Sequence, residues 1–198
     1  YTLDEEVRKA LIYIKGPLRE ARPREIAFRD PRPPVIVFTD GACEGVDTLV
    51  ATFGAVIFVD GKVQAFGGKI PDGVVSHWQK DGSHQVIGQA EHWPVLIARL
   101  TWADFLKGRR VIYYIDNDSA RVALVNQSSP SKMSLEILWE AAVVETSILS
   151  LPWYARVPSA SSCSDGPSRG QFEVVGRLLG TVVSPCLPRG GYFGGLLE

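Results

Sequence analysis

Cysteine is scarce in this chain: there are 3 in 198 residues, with no Cys-x-x-C pair. That excludes a disulfide framework and a cysteine-based zinc site, and it suits a reducing compartment, nucleus or cytoplasm, with an organelle left open. Long apolar runs are missing too. Nothing approaches the ~20 residues that a membrane-spanning helix needs. Neither sign of charge dominates: Lys+Arg number 21 against 22 Asp+Glu, a net charge of −1. The strongly basic composition of many nucleic-acid-binding domains is therefore absent. No signal-peptide pattern opens the chain, which starts at Tyr1 and holds one Met, Met133. We read it as a piece of a longer or processed protein. What remains is 45% hydrophobic and 22% charged, a globular composition that excludes a disordered chain. Any nucleic-acid partner must be recognised from a site and not from bulk charge.

Residues 1–34 differ from the rest of the chain. Leu3, Val7, Leu11 and Ile14 recur at helical spacing, and Gly16-Pro17 is expected to end that helix. A Pro- and Arg-rich arm comes next, with Arg19, Arg22, Arg24, Arg29 and Arg32. A compact pattern occupies 35–175. Val35 to Phe38 is a fully apolar, largely β-branched run suited to a central strand. Thr52 to Val59 and Lys62 to Ile70 read as strands joined by an Asp60-Gly61 hairpin turn. Gln89 to Leu106 has helical periodicity, with Pro94 early enough not to break it. Val111 to Ile115 is a fourth strand, Ser119 to Val125 and Met133 to Leu149 are helices, and Trp153 to Val157 is a fifth strand. A Ser-rich loop, Pro158 to Ser164, leads to a last helix at Asp165. Residues 176–198 form a Gly/Pro-rich tail, expected to be partly irregular or to lie against a partner. This order describes an α/β fold: a five-stranded mixed sheet flanked by helices, with the first and fourth strands parallel.

Four acids fall at informative places. Asp40 ends the first strand and Asp116 ends the fourth, so both are expected at the carboxyl edge of a parallel pair, where α/β proteins place ligands. Glu91 lies in the first turns of the long helix, and Asp165 opens the last one. Taken singly, each acid fits a solvated loop residue or a helix cap. Taken together, they fit an all-oxygen cage for Mg²⁺ or Mn²⁺, unstable until a cation neutralises it.

The segments Thr39-Asp40-Gly41-Ala42, Gln89-Ala90-Glu91, Tyr114-Ile115-Asp116-Asn117-Asp118-Ser119-Ala120, and Val157-Pro158-Ser159 through Ser164-Asp165-Gly166-Pro167-Ser168-Arg169 succeed one another in the order and spacing of the ribonuclease H family. From about Val35 to Phe172 the chain resembles the ribonuclease H domain of retrotransposon reverse transcriptases, DIRS-like elements in particular. The resemblance implies a ribonuclease H-like fold and cleavage of the RNA strand of RNA–DNA hybrids. It also implies two Mg²⁺ or Mn²⁺ ions held by Asp40, Glu91, Asp116 and Asp165, and a fused or separate reverse transcriptase or larger assembly as partner. Two such ions ~4 Å apart activate a water and stabilise the leaving oxygen. Asp40 is then expected to bridge both ions, Glu91 and Asp116 to bind the one beside the leaving oxygen, and Asp165 the other. Gly41, Ala42, Gln89, Asn117 and Arg169 are the expected substrate contacts, on the side that reads the RNA 2′-OH. The loop from Val157 to Ser164 lacks the His that many cellular members carry there. A competing reading is a domesticated, catalytically silent module with a structural or binding role in a larger assembly. A third keeps the fold and cleaves DNA, as integrases and junction resolvases do.

Other features have plain structural readings. His92, next to Glu91, points about 100° away on a helix and reads as packing or surface. Most of the five Trp read as core, and Lys107, Arg109 and Arg110 as a charged turn. Asp118 reads as a cap of the helix after Asp116. Cys43 has no local base and is not read as a nucleophile.

Overall fold

An N-terminal helix precedes the sheet in this computed structural model, which describes residues 4–20, 23, 30–45, 49–81 and 86–197. That helix, α1 (Glu5–Glu20), runs through Gly16-Pro17, where it was expected to stop. Proline removes one N–H donor and glycine adds backbone entropy, but neither forbids helical φ, and only one turn lies beyond them. Arg22, Arg24 and Arg29 of the arm lie outside the described residues, as does His84.

The sheet begins with β1 (Val35–Glu44), β2 (Val50–Val59) and β3 (Lys62–Lys69), each antiparallel to the next. Asp60 and Gly61 take φ of 48° and 75°, the left-handed pair whose twist matches a two-residue hairpin. Next come α2 (Asp72–Trp78), α3 (Ile87–Thr101) and a single turn, α4 (Ala103–Leu106). The expected long helix is thus divided at Trp102, while Pro94 lies inside α3 without ending it. β4 (Arg110–Ile115), α5 (Asp118–Asn126), α6 (Lys132–Ile148) and β5 (Leu151–Arg156) come after it, then two short helices, α7 (Asp165–Ser168) and α8 (Glu173–Arg177). β6 (Thr181–Val182) makes the sheet six-stranded, in the order β5-β4-β1-β2-β3-β6, where five strands were expected. A two-residue strand has no periodicity to read. β4 is parallel to β1 and β5, and β6 is parallel to β3.

Alternation along the central strands divides the apolar residues between two faces. Val35, Val37, Phe53, Ala55 and Ile57 join the main core under α3, whereas Phe38, Val56, Phe58 and Ala65 join a smaller cluster with Val175 and Phe172. α3 lies across β1 and β2 and packs on α5 and α6; α7 and α8 cover the other face near β2 and β3. The tail returns to the core. Phe193 is fully buried and meets Trp93 edge-on at 5.1 Å, and Trp78 meets Trp93 likewise at 5.7 Å. Burial of each such side chain contributes ~1.5–3 kcal/mol.

One charge is sealed in this core. Arg99 is 1% exposed and donates from Nη1 to the Ala141 carbonyl at 2.6 Å and from Nη2 to the Tyr154 hydroxyl. Its Nη2 lies 3.2 Å from Glu145 Oε2, and its guanidinium lies over the Tyr113 ring at 5.6 Å. This pairing ties α3 to α6 and β5.

Candidate metal centre

Asp40, Glu91 and Asp116 each offer a carboxylate oxygen, and those oxygens lie within 4.8 Å of one another. Asp40 does not end its strand. It is the sixth of ten residues in β1 and pairs with Gly54 of β2. The parallel ladder with β4, however, stops at Thr39–Ile115. Asp40 is thus mid-strand towards β2 and at the end of pairing towards β4. Asp116 comes directly after Ile115, the last residue of β4, so the two carboxylates meet where that ladder stops.

Glu91 reaches them because α3 approaches β1 unusually closely. A Cβ placed on Gly41 would lie 2.1 Å from the Ala90 carbonyl oxygen and 2.7 Å from the Glu91 nitrogen. Only glycine fits that gap. Pro94, four residues beyond Ala90, has no N–H to give the Ala90 carbonyl. The Gly41 N–H and the Asn117 side chain both hydrogen-bond Glu91. Asn117 also caps α5, its Oδ1 accepting from the Ala120 N–H at 3.0 Å. The cap is therefore Asn117 and not Asp118, which pairs with Arg121 at 2.8 Å.

The cluster is electrostatically strained. Burial, then repulsion from Asp40 and Asp116, raises the Glu91 carboxyl from 4.5 to about 8. Burial raises Asp40 from 3.8 to about 6, opposed by a hydrogen bond from Ser168 and reinforced by Asp116 and Asp165. Like charges drawn together out of water hold their protons more tightly.

The fourth acid stands apart. Asp165 is 53% exposed and outside the three-carboxylate group. Its Oδ1 accepts from Arg169 Nε at 3.2 Å and Nη2 at 3.1 Å. One turn of α7 separates Asp165 from Ser168, whose buried hydroxyl donates to Asp40 Oδ2. The sheet admits α7 because two strand positions are glycine. A Cβ on Gly54 would meet the Ser168 nitrogen at 2.3 Å, and one on Gly67 the Pro167 carbonyl oxygen at 1.9 Å. Sequence reasoning missed Ser168, Gly54 and Gly67. Glycine inside a strand was the available signal, since it marks a close backbone approach.

The expected substrate contacts are dispersed. Gln89 is 5% exposed and donates from Nε2 to Ser131 Oγ at 2.9 Å, so it faces the α6 cap and not a ligand. Gly41 and Asn117 are engaged with Glu91, Ala42 is half-buried, and Arg169 is half-exposed beside Asp165. His92 is buried; burial lowers its pKa to about 4, and it is not part of the acid group. Burial and then the Glu91 charge push the Cys43 thiol up to about 11, which keeps it unreactive. Arg109 is buried against Asp60 at 3.0 Å, and Arg110 donates to the Arg32 carbonyl at 2.8 Å, so both anchor the turn and the arm. Trp78, Trp93 and Trp102 are buried, Trp139 is half-buried, and Trp153 is 70% exposed on the edge strand β5.

The chain matches no known family model and no curated protein. Among solved structures it is similar to RNase H1 from the halophilic archaeon Halobacterium salinarum NRC-1, with a TM-score of 0.50, 20% identity, and coverage of 69% of this chain and 98% of that one. It is also similar to LC11-RNase H1, isolated from compost by a metagenomic approach, with a TM-score of 0.54, 15% identity, and coverage of 72% and 97%. The fold is ribonuclease H-like.

Within this ribonuclease H-like fold the acid group suits a hard cation. Glu91 Oε2 and Asp116 Oδ1 are buried and have no hydrogen-bond partner among the described residues. Buried acceptors without donors are costly, and an all-oxygen donor set fits Mg²⁺ or Mn²⁺. A cavity of about 660 Å³ beneath Trp153 and Arg121 shares no lining residue with the acids. Among the described residues no helix is long and apolar enough to cross a membrane.

Proposed function

We propose that this chain is a ribonuclease H-type endonuclease, hydrolysing the RNA strand of RNA–DNA hybrids with two Mg²⁺ or Mn²⁺ ions. The observation that carries the reading is the convergence of Asp40, Glu91 and Asp116, with two buried oxygens lacking donors, at the end of the β1–β4 ladder of a ribonuclease H-like fold. Asp40, at the centre of the sheet, would serve both ions, Glu91 and Asp116 would help to hold one of them, and Asp165 would help to hold the other. When bound, such ions lower the pKa of an attacking water and neutralise charge on the leaving oxygen. The protein's part is to hold the acids in place. Gly41 and Asn117 orient Glu91, Ser168 orients Asp40, and Arg169, half-exposed and paired with Asp165, is our candidate to meet a phosphate.

The ordered motifs of the sequence support a retroelement origin of DIRS-like type, with a fused or separate reverse transcriptase supplying grip on the hybrid. The near-zero net charge agrees with weak independent binding. Three free cysteines agree with a reducing nuclear or cytoplasmic setting.

Cleavage of a labelled hybrid by the purified chain with Mg²⁺ tests the proposal. Asp40→Asn and Asp116→Asn should each lower the rate by at least ~10²-fold. Wild-type cleavage that survives both substitutions would sink it. A second reading, a catalytically silent structural module, draws on the pairing of Asp165 with Arg169. No cleavage with intact folding would favour it.

A further inference from the structure

Two apolar surfaces of this chain face solvent at the same time. The first is a stripe on α1. Val7, Leu11, Ile14 and Leu18, spaced 4-3-4, are each at least 40% exposed, and so is Ile12 beside them. A helix of 16 residues that contains Gly16 and Pro17 is marginal in water by itself, so α1 needs a surface to lie on. Its stripe spans about two heptads, too few for a zipper with another α1.

The second surface is the cavity of about 660 Å³ at the open edge of the sheet. Leu124 and Val125 of α5, Ala142 of α6, and Leu151 and Trp153 of β5 give it an apolar lining. Val125 is 53% exposed and Trp153 70%. Among the described residues none of α1 lines this groove. β5 is the outer strand of the sheet, but another strand is a poor occupant. The Leu151 and Val157 N–H groups donate inward, to the Arg109 and Ile115 carbonyls, so Pro152 turns its edge outward and offers no N–H there. A helix satisfies its own backbone and needs only side-chain contacts.

The arm places one surface near the other. Arg110 donates from Nη2 to the Asp30 and Arg32 carbonyls, at 3.1 and 2.8 Å, and stands opposite Leu151 in the β4–β5 ladder. The arm therefore leaves the sheet beside the groove. Nine residues, 21–29, separate Asp30 from α1, a reach of at most ~30 Å. We propose that two copies of this chain dimerise by exchange, the apolar stripe of each α1 seating in the α5–α6–β5 groove of the other. The five aliphatic side chains present on the order of 450 Å² per helix, so two reciprocal contacts bury on the order of 1,800 Å² in all, the size of a standard specific interface. The contact is isologous and closes on itself. It lies at the amino ends of β4 and β5, away from the acids at the carboxyl end of the β1–β4 ladder, and it does not depend on the nuclease reading.

The test is sedimentation velocity of the whole chain from low to high micromolar concentration. Leu11→Glu on the helix and Trp153→Glu in the groove replace exposed side chains, so both should keep the wild-type circular dichroism. Leu18→Glu and Val125→Glu repeat them at second positions. Wild type should dimerise, and each variant should raise the dissociation constant at least ~30-fold. A mixture of L11E and W153E retains one intact helix–groove contact and should associate at concentrations where neither variant does alone. Wild type that stays monomeric overturns the proposal; if Trp153→Glu then speeds hydrogen exchange in α1, the helix lies in its own chain's groove. A dimer that survives both groove variants overturns it too, because the helices then pair with each other.

Discussion

Glu91→Gln should stabilise the metal-free protein at alkaline pH. Glu91 is 6% exposed, and burial beside Asp40 and Asp116 raises its carboxyl from 4.5 to about 8. In the unfolded chain the same group ionises near 4.5. Between these values the folded protein keeps a proton that the unfolded chain has lost. Stability therefore falls as pH rises from about 4.5 through 8. At 1.36 kcal/mol per pH unit the full loss is at most roughly 5 kcal/mol by pH 9. The Asp40 carboxyl is raised along with Glu91 and shares that cost, so glutamine at 91 should recover roughly 2–3 kcal/mol. Glutamine keeps the volume and the acceptor for the Gly41 N–H. Urea unfolding monitored by tryptophan fluorescence, in EDTA, is the assay. At pH 9 the variant should gain that amount, or roughly 5–10 °C in Tm. At pH 4.5 the two proteins should agree within about 0.5 kcal/mol. A variant no more stable than wild type at pH 9 would refute the claim that the acids are held together against their own repulsion. Added Mn²⁺ at pH 8 should reverse the order, since only wild type gains from binding, by about 2.7 kcal/mol at a hundred times Kd.

Gly41→Ala should force α3 away from β1, weakening Mn²⁺ binding by at least ~10-fold and lowering stability by roughly 1–3 kcal/mol in urea unfolding. Ser168→Ala leaves Asp40 short of one donor; it should cost roughly 1–3 kcal/mol at pH 8 and less at pH 4, where Asp40 is protonated. Arg99→Met removes the cation beside the buried Glu145 and should cost roughly 3–5 kcal/mol, while Arg99→Met with Glu145→Leu should recover most of it. Failure of that double variant to recover would show that the pairing with Ala141 and Tyr154, and not charge balance, dominates at Arg99.

The strands were legible because β-branched apolar runs such as Val35 to Val37 and Val111 to Ile112 admit few alternatives. The length of β1 was not. Its apolar run stops at Phe38, and Thr39-Asp40-Gly41-Ala42 reads as the approach to a turn. The strand continues because β2 pairs with it as far as Glu44, a non-local cause. α2 was missed since Pro71-Asp72-Gly73 has turn composition; its helix is held by burial of Val74, Val75 and Trp78. Asp40 and Asp116 could be placed because their positions derive from strand order, and Glu91 because it opens the long helix that follows the hairpin. Asp165 could not, because its distance from the others depends on how α7 seats on Gly54 and Gly67. Arg109 and Arg110 fit the charged-turn reading, but the partner of Arg109, Asp60 in a distant hairpin, was invisible.

Phe193 has a consequence for how the protein is made. Its ring fills the space against Trp93, and β6, the edge strand, ends eleven residues earlier at Val182. A growing chain at Arg177 already carries all four acids, yet its main core lacks that wedge. The scaffold around the carboxylates therefore gains its full rigidity only after residue 193 has left the ribosome. Until then the acids are tethered to an incompletely packed core, which should hold divalent ions weakly and remain open to proteolysis.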